Sequence, residues 1–344
     1  MDRTERVCAL AREAGFDLCG VARAEPLDPG PLRRWVQAGH HAGMAWMARS
    51  VAVRCDPRLL LPGARAVIAL AVNYYTPGST GVPGGGRISR YAWGRDYHKV
   101  LGARLRRLRR ALIEAFPGVR LFGGTDAVPI AEKVWAERAG LGWIGKNGNL
   151  ITRRYGSWVF LATILTDLDL SPTPPHADYC GSCEACLEAC PTAAIVAPGV
   201  VDARRCLSFH TIEHDGPWPD EILDAHSEWL FGCDACQEVC PWSLRFAVAT
   251  GCEDFAPRAE ITGRPIEAWI SLDDTTFDRL SRGGPLRRAG ADGLRRSAAA
   301  VAAAVPDRPE IRRALEAAAG GPHPATARHA RRTLDGLVSG RGRS

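Results

Sequence analysis

The chain has 344 residues, of which 46% are hydrophobic, and its formal net charge is +6. This length predicts two or three domains with packed cores. The sequence contains no run of about eighteen apolar residues, which is the length that a membrane span requires. The charge indicates an acidic partner such as nucleic acid only weakly, because lysines are just 3 of the 44 basic residues.

The N-terminal part, residues 1–171, is predicted to be an α/β domain. Its first residues mix acids, arginines and apolar residues at helical spacing, which indicates an amphipathic helix and not an export signal, so we expect a cytoplasmic protein. The stretches 66–75 and 158–165 are almost entirely apolar and too short for long helices, which predicts two buried strands flanked by helices. Glycines and prolines predict a loop over residues 76–87.

Two short motifs in this domain contain polar residues near helix starts. Asp96, His98 and Gly102 resemble the D-x-H-x-x-G signature by which some enzymes ligate cobalt through histidine, but the spacing is off by one residue and the later glycine motifs are absent, so we reject that signature. Further on, Pro129 predicts a helix start and leaves Asp126 in the preceding loop, where a capping role would contribute ~1 kcal/mol. The glycine-rich stretch after this helix is not a dinucleotide fingerprint, because that fingerprint follows a strand.

Eight of the twelve cysteines lie between residues 180 and 240. The first run follows the C-x2-C-x2-C-x3-C-P pattern of bacterial ferredoxins, whose fourth cysteine ligates a second cluster. The second run repeats the last three cysteines and the proline, with Leu230 at the leading position. A zinc site or disulfides would leave the x3-C-P endings unexplained. Residues 172–245 are therefore predicted to form a bacterial-type 2[4Fe-4S] ferredoxin domain.

The crossed ligand rule assigns the cysteines to two clusters. Cluster 1 is predicted to bind Cys180, Cys183, Cys186 and Cys240, and cluster 2 to bind Cys190, Cys233, Cys236 and one further thiolate. Cys206 and Cys252 are both candidates for that last ligand. We favour Cys206, because it lies between the two cysteine runs. Cys8, Cys19 and Cys55 have no ligand spacing and are interpreted as small buried residues.

The C-terminal part, residues 246–344, is predicted to be a HEAT-like α-helical segment. Short alanine-rich stretches with apolar stripes alternate there with proline and glycine, and such helices must dock on the rest of the protein to bury their stripes. We expect paired arginines of this segment to line one basic face, namely Arg295, Arg296, Arg312, Arg313, Arg331 and Arg332.

Paired iron-sulfur clusters transfer single electrons but make no bonds in an organic substrate, so the large N-terminal domain is expected to hold another cofactor that accepts the electrons.

Five segments of the N-terminal domain stand in a fixed order before the two cysteine runs: GMAWMARSVAVRCDPRLLLPGA, ISRYAWGRDYH, TDAVPIAEK, AGLGWIGKN and GSWVFLATILT. Together they resemble epoxyqueuosine reductases, which catalyse the last step of queuosine synthesis in tRNA. The resemblance covers residues 1–245.

The resemblance implies a cobalamin enzyme that removes the epoxide oxygen of epoxyqueuosine at the wobble position of tRNA. A nucleophilic Co(I) centre would open the ring, the clusters would keep cobalt reduced, and a carboxylic acid would protonate the departing oxygen. By the same resemblance that acid is Asp126, and we expect burial beside the corrin to raise its pKa. The corrin contacts that the resemblance implies are Arg54, Tyr97, Asp126, Asn149, Ser157 and Ser208.

The partners implied are tRNA with epoxyqueuosine in its anticodon loop and an external low-potential electron donor, and we expect a monomer that binds no membrane. Two alternatives remain open. One is a cobalamin-dependent reductive dehalogenase, although such enzymes usually carry a twin-arginine export signal, which this sequence does not show. The other is a ferredoxin-like electron carrier without a substrate of its own, for which the N-terminal domain is larger than necessary.

Overall fold

A four-stranded antiparallel sheet forms the centre of the N-terminal part in the computed structural model, which describes residues 2–78, 81–82, 85–225 and 227–339. Its strands are β1 (Leu18–Arg23), β2 (Ala66–Asn73), β5 (Leu121–Gly124) and β8 (Val159–Thr166), in the order β1-β2-β8-β5. The helices of this part are α1 (Arg3–Glu13), α2 (Gly30–Gln37), α3 (Ala45–Arg49), α4 (Val51–Cys55), α5 (Tyr97–Ala115) and α6 (Glu132–Arg138). The two predicted buried strands are confirmed as β2 and β8.

Strand β2 is buried on both faces. Its even-numbered residues, such as Ile68 and Leu70, pack with α1 and α5 in one core. Its odd-numbered residues, such as Val67 and Ala69, pack with α6 in a second core. Because side chains alternate along a strand, a sheet covered on both faces requires both sets to be apolar. This explains the continuous apolar run, even though the strands of this sheet are antiparallel.

The cysteine runs lie among short elements. The remaining strands are β3 (Gly81–Val82), β4 (Gly86–Ile88), β6 (Trp143–Ile144), β7 (Leu150–Ile151), β9 (Ile195–Ala197), β10 (Val200–Val201) and β11 (Trp229–Phe231). The helices of this region are α7 (Ala185–Glu188), α8 (Leu207–Ile212), α9 (Asp220–Leu223), α10 (Ala235–Glu238) and α11 (Pro241–Arg245). The loop predicted over residues 76–87 contains β3 and β4, and its residues 79–80 and 83–84 lie outside the described residues.

A buried carboxylate joins the second cysteine run to the N-terminal part. Asp234 is fully buried, and it accepts hydrogen bonds from Ser89 Oγ at 2.5 Å and from Arg90 N at 2.7 Å. The neighbouring strand β11 also pairs in parallel with β4. Close approach here requires glycine at position 232, where φ is +66° and a Cβ would lie 2.4 Å from Ser89 Cβ. The cysteines beside Asp234 are thereby fixed against the N-terminal part.

The C-terminal helices do not have a core of their own. They are α12 (Ala259–Thr262), α13 (Ile266–Ile270), α14 (Asp274–Ser281), α15 (Gly290–Val301), α16 (Pro309–Ala319) and α17 (Pro324–Ser339). Apolar residues of α13, α15 and α16 share one buried cluster with Ile88 of β4 and with Leu230 and Phe231 of β11. The expected docking of these helices is confirmed, whereas their HEAT-like character and the domain boundaries stay predictions.

Two of the six arginines expected on a basic face are buried instead. Arg295 and Arg296 are only 8% and 2% exposed. Arg295 forms ion pairs with Asp274 and Asp292. Arg296 donates to the carbonyl oxygens of His210, His214 and Gly216. The expectation was therefore wrong for this pair, because both guanidinium groups satisfy partners inside the protein. Among the described residues, no helix combines the length and apolar character that a membrane crossing requires.

Replacing Arg296 with methionine should destabilise the protein by about 2–4 kcal/mol, because the carbonyl oxygens of His214 and Gly216 would lose this donor and His210 O would keep the Trp218 indole N–H alone. Arg313→Met is the matched control, since the Arg313 side chain is 72% exposed and pairs only with Glu310. The control should stay within about 0.5 kcal/mol of the parent protein in urea unfolding. Equal losses in both variants would contradict the role assigned to Arg296.

Candidate active site and cluster-binding region

Asp126 lies in the loop between β5 and α6. Its backbone φ is +55°, a left-handed conformation that costs a non-glycine residue about 1 kcal/mol. The backbone N–H of Asp126 donates to Glu132 Oε1 at 3.0 Å, which stabilises this loop conformation. Helix α6 begins at Glu132, three residues after the start predicted at Pro129. The carboxylate of Asp126 is thus positioned by the first residue of the helix that follows it.

Two side chains from the start of α5 contact the carboxylate of Asp126. Tyr97 Oη donates to Asp126 Oδ2 at 2.6 Å, and His98 Nε2 lies 3.5 Å from the same oxygen. The other ring nitrogen of His98, Nδ1, lies 2.8 Å from Asp96 Oδ1. Asp96 caps α5 by accepting the His98 backbone N–H at 3.0 Å. The motif rejected as a cobalt-ligating signature therefore forms an Asp–His–Asp series that ends at Asp126.

The contacts of Asp126 with its neighbours shift the pKa values of several side chains. The hydrogen bond from His98 lowers the pKa of Asp126, burial opposes that shift, and Tyr97 lowers the pKa further. The raised pKa was expected for Asp126 beside a bound corrin and stays a prediction; in the protein alone the side chain is 63% exposed and accepts a hydrogen bond from Tyr97. The bond to Asp126 in turn raises the pKa of His98. Burial raises the pKa of Glu132 to about 8, so the carboxyl that keeps its proton at neutral pH is Glu132.

Arg54 faces the two carboxyl groups from α4. Its Nε donates to Ser50 Oγ at 2.8 Å. Burial lowers the pKa of Arg54, and the negative charges of Asp126 and Glu132 oppose that shift. Arg54 also lines a cavity of about 770 Å³, which adjoins a cavity of about 420 Å³ through the shared residues Trp35 and Gly199. Three of the six predicted corrin contacts, Arg54, Tyr97 and Asp126, are therefore close together.

The smaller cavity brings together the four cysteines predicted for cluster 2. It is lined by Cys190, Cys206, Cys233 and Cys236, and by two further predicted corrin contacts, Asn149 and Ser208. Burial raises the pKa of Cys236, and the negative charges of Cys206, Asp234 and Cys190 raise it further. Ser157 lies apart from these groups, because its hydroxyl bonds within the protein to Gln237 Oε1 at 3.0 Å and to Ser243 Oγ at 2.9 Å.

The four cysteines predicted for cluster 1 form a second group. Burial raises the pKa of Cys186, and the charges of Cys240, Cys180 and Cys183 raise it further. Cys180 and Cys240 pack with Trp143 in a small apolar core. No three His, Cys, Asp or Glu side chains of the described residues surround a single ion. A cubane does not require such an arrangement, because each thiolate ligates a different iron.

The remaining cysteines lie elsewhere. Cys252, the alternative ligand for cluster 2, accepts a hydrogen bond from Arg104 Nη2 at 3.0 Å and packs at the edge of the core between α1 and α5. Cys55 is buried, as expected. Cys8 and Cys19 are only partly buried, and a hydrogen bond between them raises the pKa of Cys19.

An aromatic and a basic side chain stand at the approach to Asp126. Trp46 is 38% exposed, and the guanidinium of Arg288 lies 5.7 Å from its ring centroid. Arg288 also donates to Glu213 Oε2 at 2.7 Å. That hydrogen bond raises the pKa of Arg288, and the charge of Asp126 contributes to the same shift. The C-terminal segment thus supplies a basic side chain, Arg288, near Asp126.

Glu132 should make folding stability depend on pH. Its pKa is higher in the folded chain, about 8, than the 4.5 expected when unfolded, so the folded state keeps a proton that the unfolded state releases. This contribution is present below the unfolded pKa and is lost as the pH rises through the folded pKa. Relative to Glu132→Gln, the parent protein should therefore lose about 2 kcal/mol between pH 5 and 8, about half of the full shift because Asp126 and His98 titrate nearby. Urea unfolding of both proteins at several pH values measures this, and parallel profiles would contradict it.

Comparisons with known proteins match both parts of this site. The family model described as Epoxyqueuosine reductase QueG, DUF1730 matches residues 54–126, which run from Arg54 to the proposed acid. The model described as a 4Fe-4S double cluster binding domain matches residues 179–243. The chain therefore carries a double [4Fe-4S] cluster-binding domain, as predicted from its cysteines.

Relatives with the same name match nearly the whole chain. The epoxyqueuosine reductase of Gloeobacter violaceus is 47% identical over 300 residues, which cover 85% of this chain and 93% of that protein. The crystal structure of epoxyqueuosine reductase with an epoxyqueuosine-modified tRNA-Tyr stem loop has a TM-score of 0.85 and 30% identity, and covers 95% of this chain and 88% of that one. The Bacillus subtilis epoxyqueuosine reductase, described with its aspartate-bearing catalytic loop swung out of the active site, has a TM-score of 0.84, 29% identity and the same coverage. This chain belongs to the epoxyqueuosine reductase family.

Proposed function

We propose that this chain reduces epoxyqueuosine with a cobalamin and two [4Fe-4S] clusters, and that Asp126 delivers a proton to the departing epoxide oxygen. As a member of its family, the chain is an oxidoreductase that reduces epoxyqueuosine to queuosine in tRNA. The observation that carries the proposal is the position of Asp126. With its partners Tyr97 and His98, it lies within electrostatic reach of Arg54 and Lys133, which line two adjoining cavities, one of them lined also by four cysteines.

The cysteine groups support the proposed ligation. Cluster 1 would be held by Cys180, Cys183, Cys186 and Cys240, and cluster 2 by Cys190, Cys206, Cys233 and Cys236. Cys186 is influenced by its three proposed partners and Cys206 by Cys190, while Cys186 also contributes the smallest of the effects on Cys236. Exposed Cys183 makes cluster 1 the natural entry point for an external low-potential donor.

The adjoining cavities fit a corrin. A corrin is a broad apolar ring edged with amide side chains, so it requires a large space with a few amide and hydroxyl partners. The 420 Å³ cavity offers the side chains of Asn147, Asn149, Gln237 and Ser208, and the 770 Å³ cavity beside it offers Arg54. When bound, cobalamin would supply the nucleophilic cobalt that opens the epoxide. Ser157 would contribute indirectly, through its hydrogen bond to Gln237.

The proton side of the reaction belongs to Asp126. Reduction of the epoxide to an alkene consumes two electrons and two protons and releases water. Binding of cofactor and substrate beside Asp126 would remove water from its carboxyl group. Loss of water raises the pKa of a carboxyl group, so Asp126 would keep its proton and could act as an acid. His98 Nε2, 3.5 Å from Asp126 Oδ2, would return a proton after each transfer. Glu132 would hold the loop in place through the Asp126 N–H.

Substrate recognition would use side chains near Asp126. The related enzyme crystallised with a tRNA stem loop supports tRNA as the partner. RNA-modifying enzymes generally take an unstacked loop base and contact it with aromatic and arginine side chains. Trp46 and Arg288 offer both at the approach to Asp126. The cytoplasmic location and the monomeric state stay predictions.

Asp126→Asn should reduce turnover of an epoxyqueuosine-containing stem loop by at least about 100-fold, because an amide cannot deliver the proton. Iron content and cobalamin binding should stay at parent levels. Asp169→Asn is the matched control, since Asp169 pairs with Arg65 on the surface. A purified Asp126→Asn protein with full turnover would exclude Asp126 as the acid.

Cys206→Ala should remove one cluster and lower the iron content to about four per chain, whereas Cys252→Ala should retain about eight. The two variants compare the two candidate ligands left open by the sequence. Anaerobic iron and sulfide assays, together with the visible spectrum, measure the result. Loss of a cluster from Cys252→Ala, with both clusters kept in Cys206→Ala, would reverse the assignment.

A further inference from the structure

Lys133 brings a positive charge to the cavity lined by the cluster 2 cysteines. Its Nζ donates to Gly148 O at 3.0 Å and to Asn149 Oδ1 at 2.9 Å. Among the described residues that line this cavity, Lys133 is the only lysine or arginine. Neither the proton transfer by Asp126 nor the proposed cluster ligation uses this cation, so its role requires a separate explanation.

Hydrogen bonds connect the ammonium group to the second cysteine run. Asn149, which accepts from Lys133, has its own backbone N–H bonded to Asn147 Oδ1 at 3.0 Å. The side-chain Nδ2 of Asn147 donates to the carbonyl oxygen of Cys236 at 3.3 Å. Residues 147–149 therefore form a short bridge that keeps the Lys133 ammonium at a fixed place relative to Cys236. The Lys133 side chain is solvent-accessible in the protein alone, so these hydrogen bonds are what fix its position.

The charges around Lys133 are otherwise negative. Four cysteines and Asp234 line the same cavity, and the charge of Asp126 also acts on the lysine. Each electron that enters a cluster adds one negative charge to this region. A nearby cation stabilises the reduced form more than the oxidised form, and the effect grows when ligands displace water from the cavity.

We infer that Lys133 raises the reduction potential of cluster 2 and so favours the arrival of each electron next to the corrin site. The inference rests on the proposed function, because it requires cluster 2 to bind the four cysteines that line part of this cavity, beside the space left for the corrin. The step itself is a one-electron transfer: cluster 1 is oxidised as cluster 2 is reduced, and no bond forms or breaks. The reductant is the external low-potential donor already invoked for cluster 1.

Three substitutions of Lys133 separate its charge from its packing. Lys133→Met removes the charge and both hydrogen bonds, Lys133→Gln removes the charge but keeps N–H donors, and Lys133→Arg keeps the charge. Redox titration of the cluster signals by electron paramagnetic resonance should show one of the two reduction steps shifted to more negative potential in the Met and Gln proteins. The Arg protein should stay near the parent. Lys99→Gln, which removes an exposed charge from α5, should change neither step.

Iron and sulfide assays precede the titration and separate two kinds of failure. A parent protein without about eight of each per chain would refute the proposed function. Fully loaded Met and Gln variants with unchanged potentials would refute the role of Lys133 alone. A purely structural lysine would affect loading or stability without shifting the potential of fully loaded protein.

A measurement on the parent protein covers the case in which every Lys133 variant loses its clusters. The chain has only three lysines, Lys99, Lys133 and Lys146, so labelling with ¹³Cε-lysine gives three side-chain signals. Reduction of cluster 2 should shift or broaden the Lys133 signal, with the exposed Lys99 as the internal reference. Three signals unaffected by cluster reduction would overturn the inference.

Discussion

The buried carboxylate of Asp234 is the contact on which the arrangement of the site depends. It lies between Cys233 and Cys236 in sequence, yet its oxygens accept hydrogen bonds from Ser89 and Arg90 of the N-terminal part. A buried carboxylate without these donors would carry a large desolvation cost. The pairing of β11 with β4 runs beside this contact. Two segments about 145 residues apart in sequence are thereby held together.

In the proposed function, helix α6 separates the side chains of the proton transfer from those of the electron transfer by one residue. Glu132 turns toward the Asp126 loop, and Lys133 turns toward the cysteine-lined cavity. Consecutive helical side chains point in directions about 100° apart, so a single helix start can serve two neighbouring spaces. In the described structure Asp126, Glu132 and His98 are therefore grouped on one side, while Lys133 lines the cavity with the four cysteines.

Features encoded by local spacing could be predicted from the sequence. The cysteine runs predicted the double [4Fe-4S] cluster-binding domain, and the apolar run of β2 predicted a buried strand. The contact of Asp126 with Tyr97 and His98 could not be predicted, because 28 or 29 residues separate them and only the packing of α5 beside the sheet brings them together. The prediction that Arg295 and Arg296 lie on an exposed basic face was wrong for a related reason. Arginines usually indicate a solvated face, and burial of both depends on partners far along the chain.

The common core of α13, α15 and α16 with β4 and β11 bears on how this protein can be divided. A fragment that ended with the cysteine region would leave Ile88 of β4 and Leu230 and Phe231 of β11 facing water. Strand β11 leads directly into the second cysteine run. The helical tail is therefore not a detachable module. Exchange of tails between relatives would succeed only where the two exposed strands were exchanged along with them.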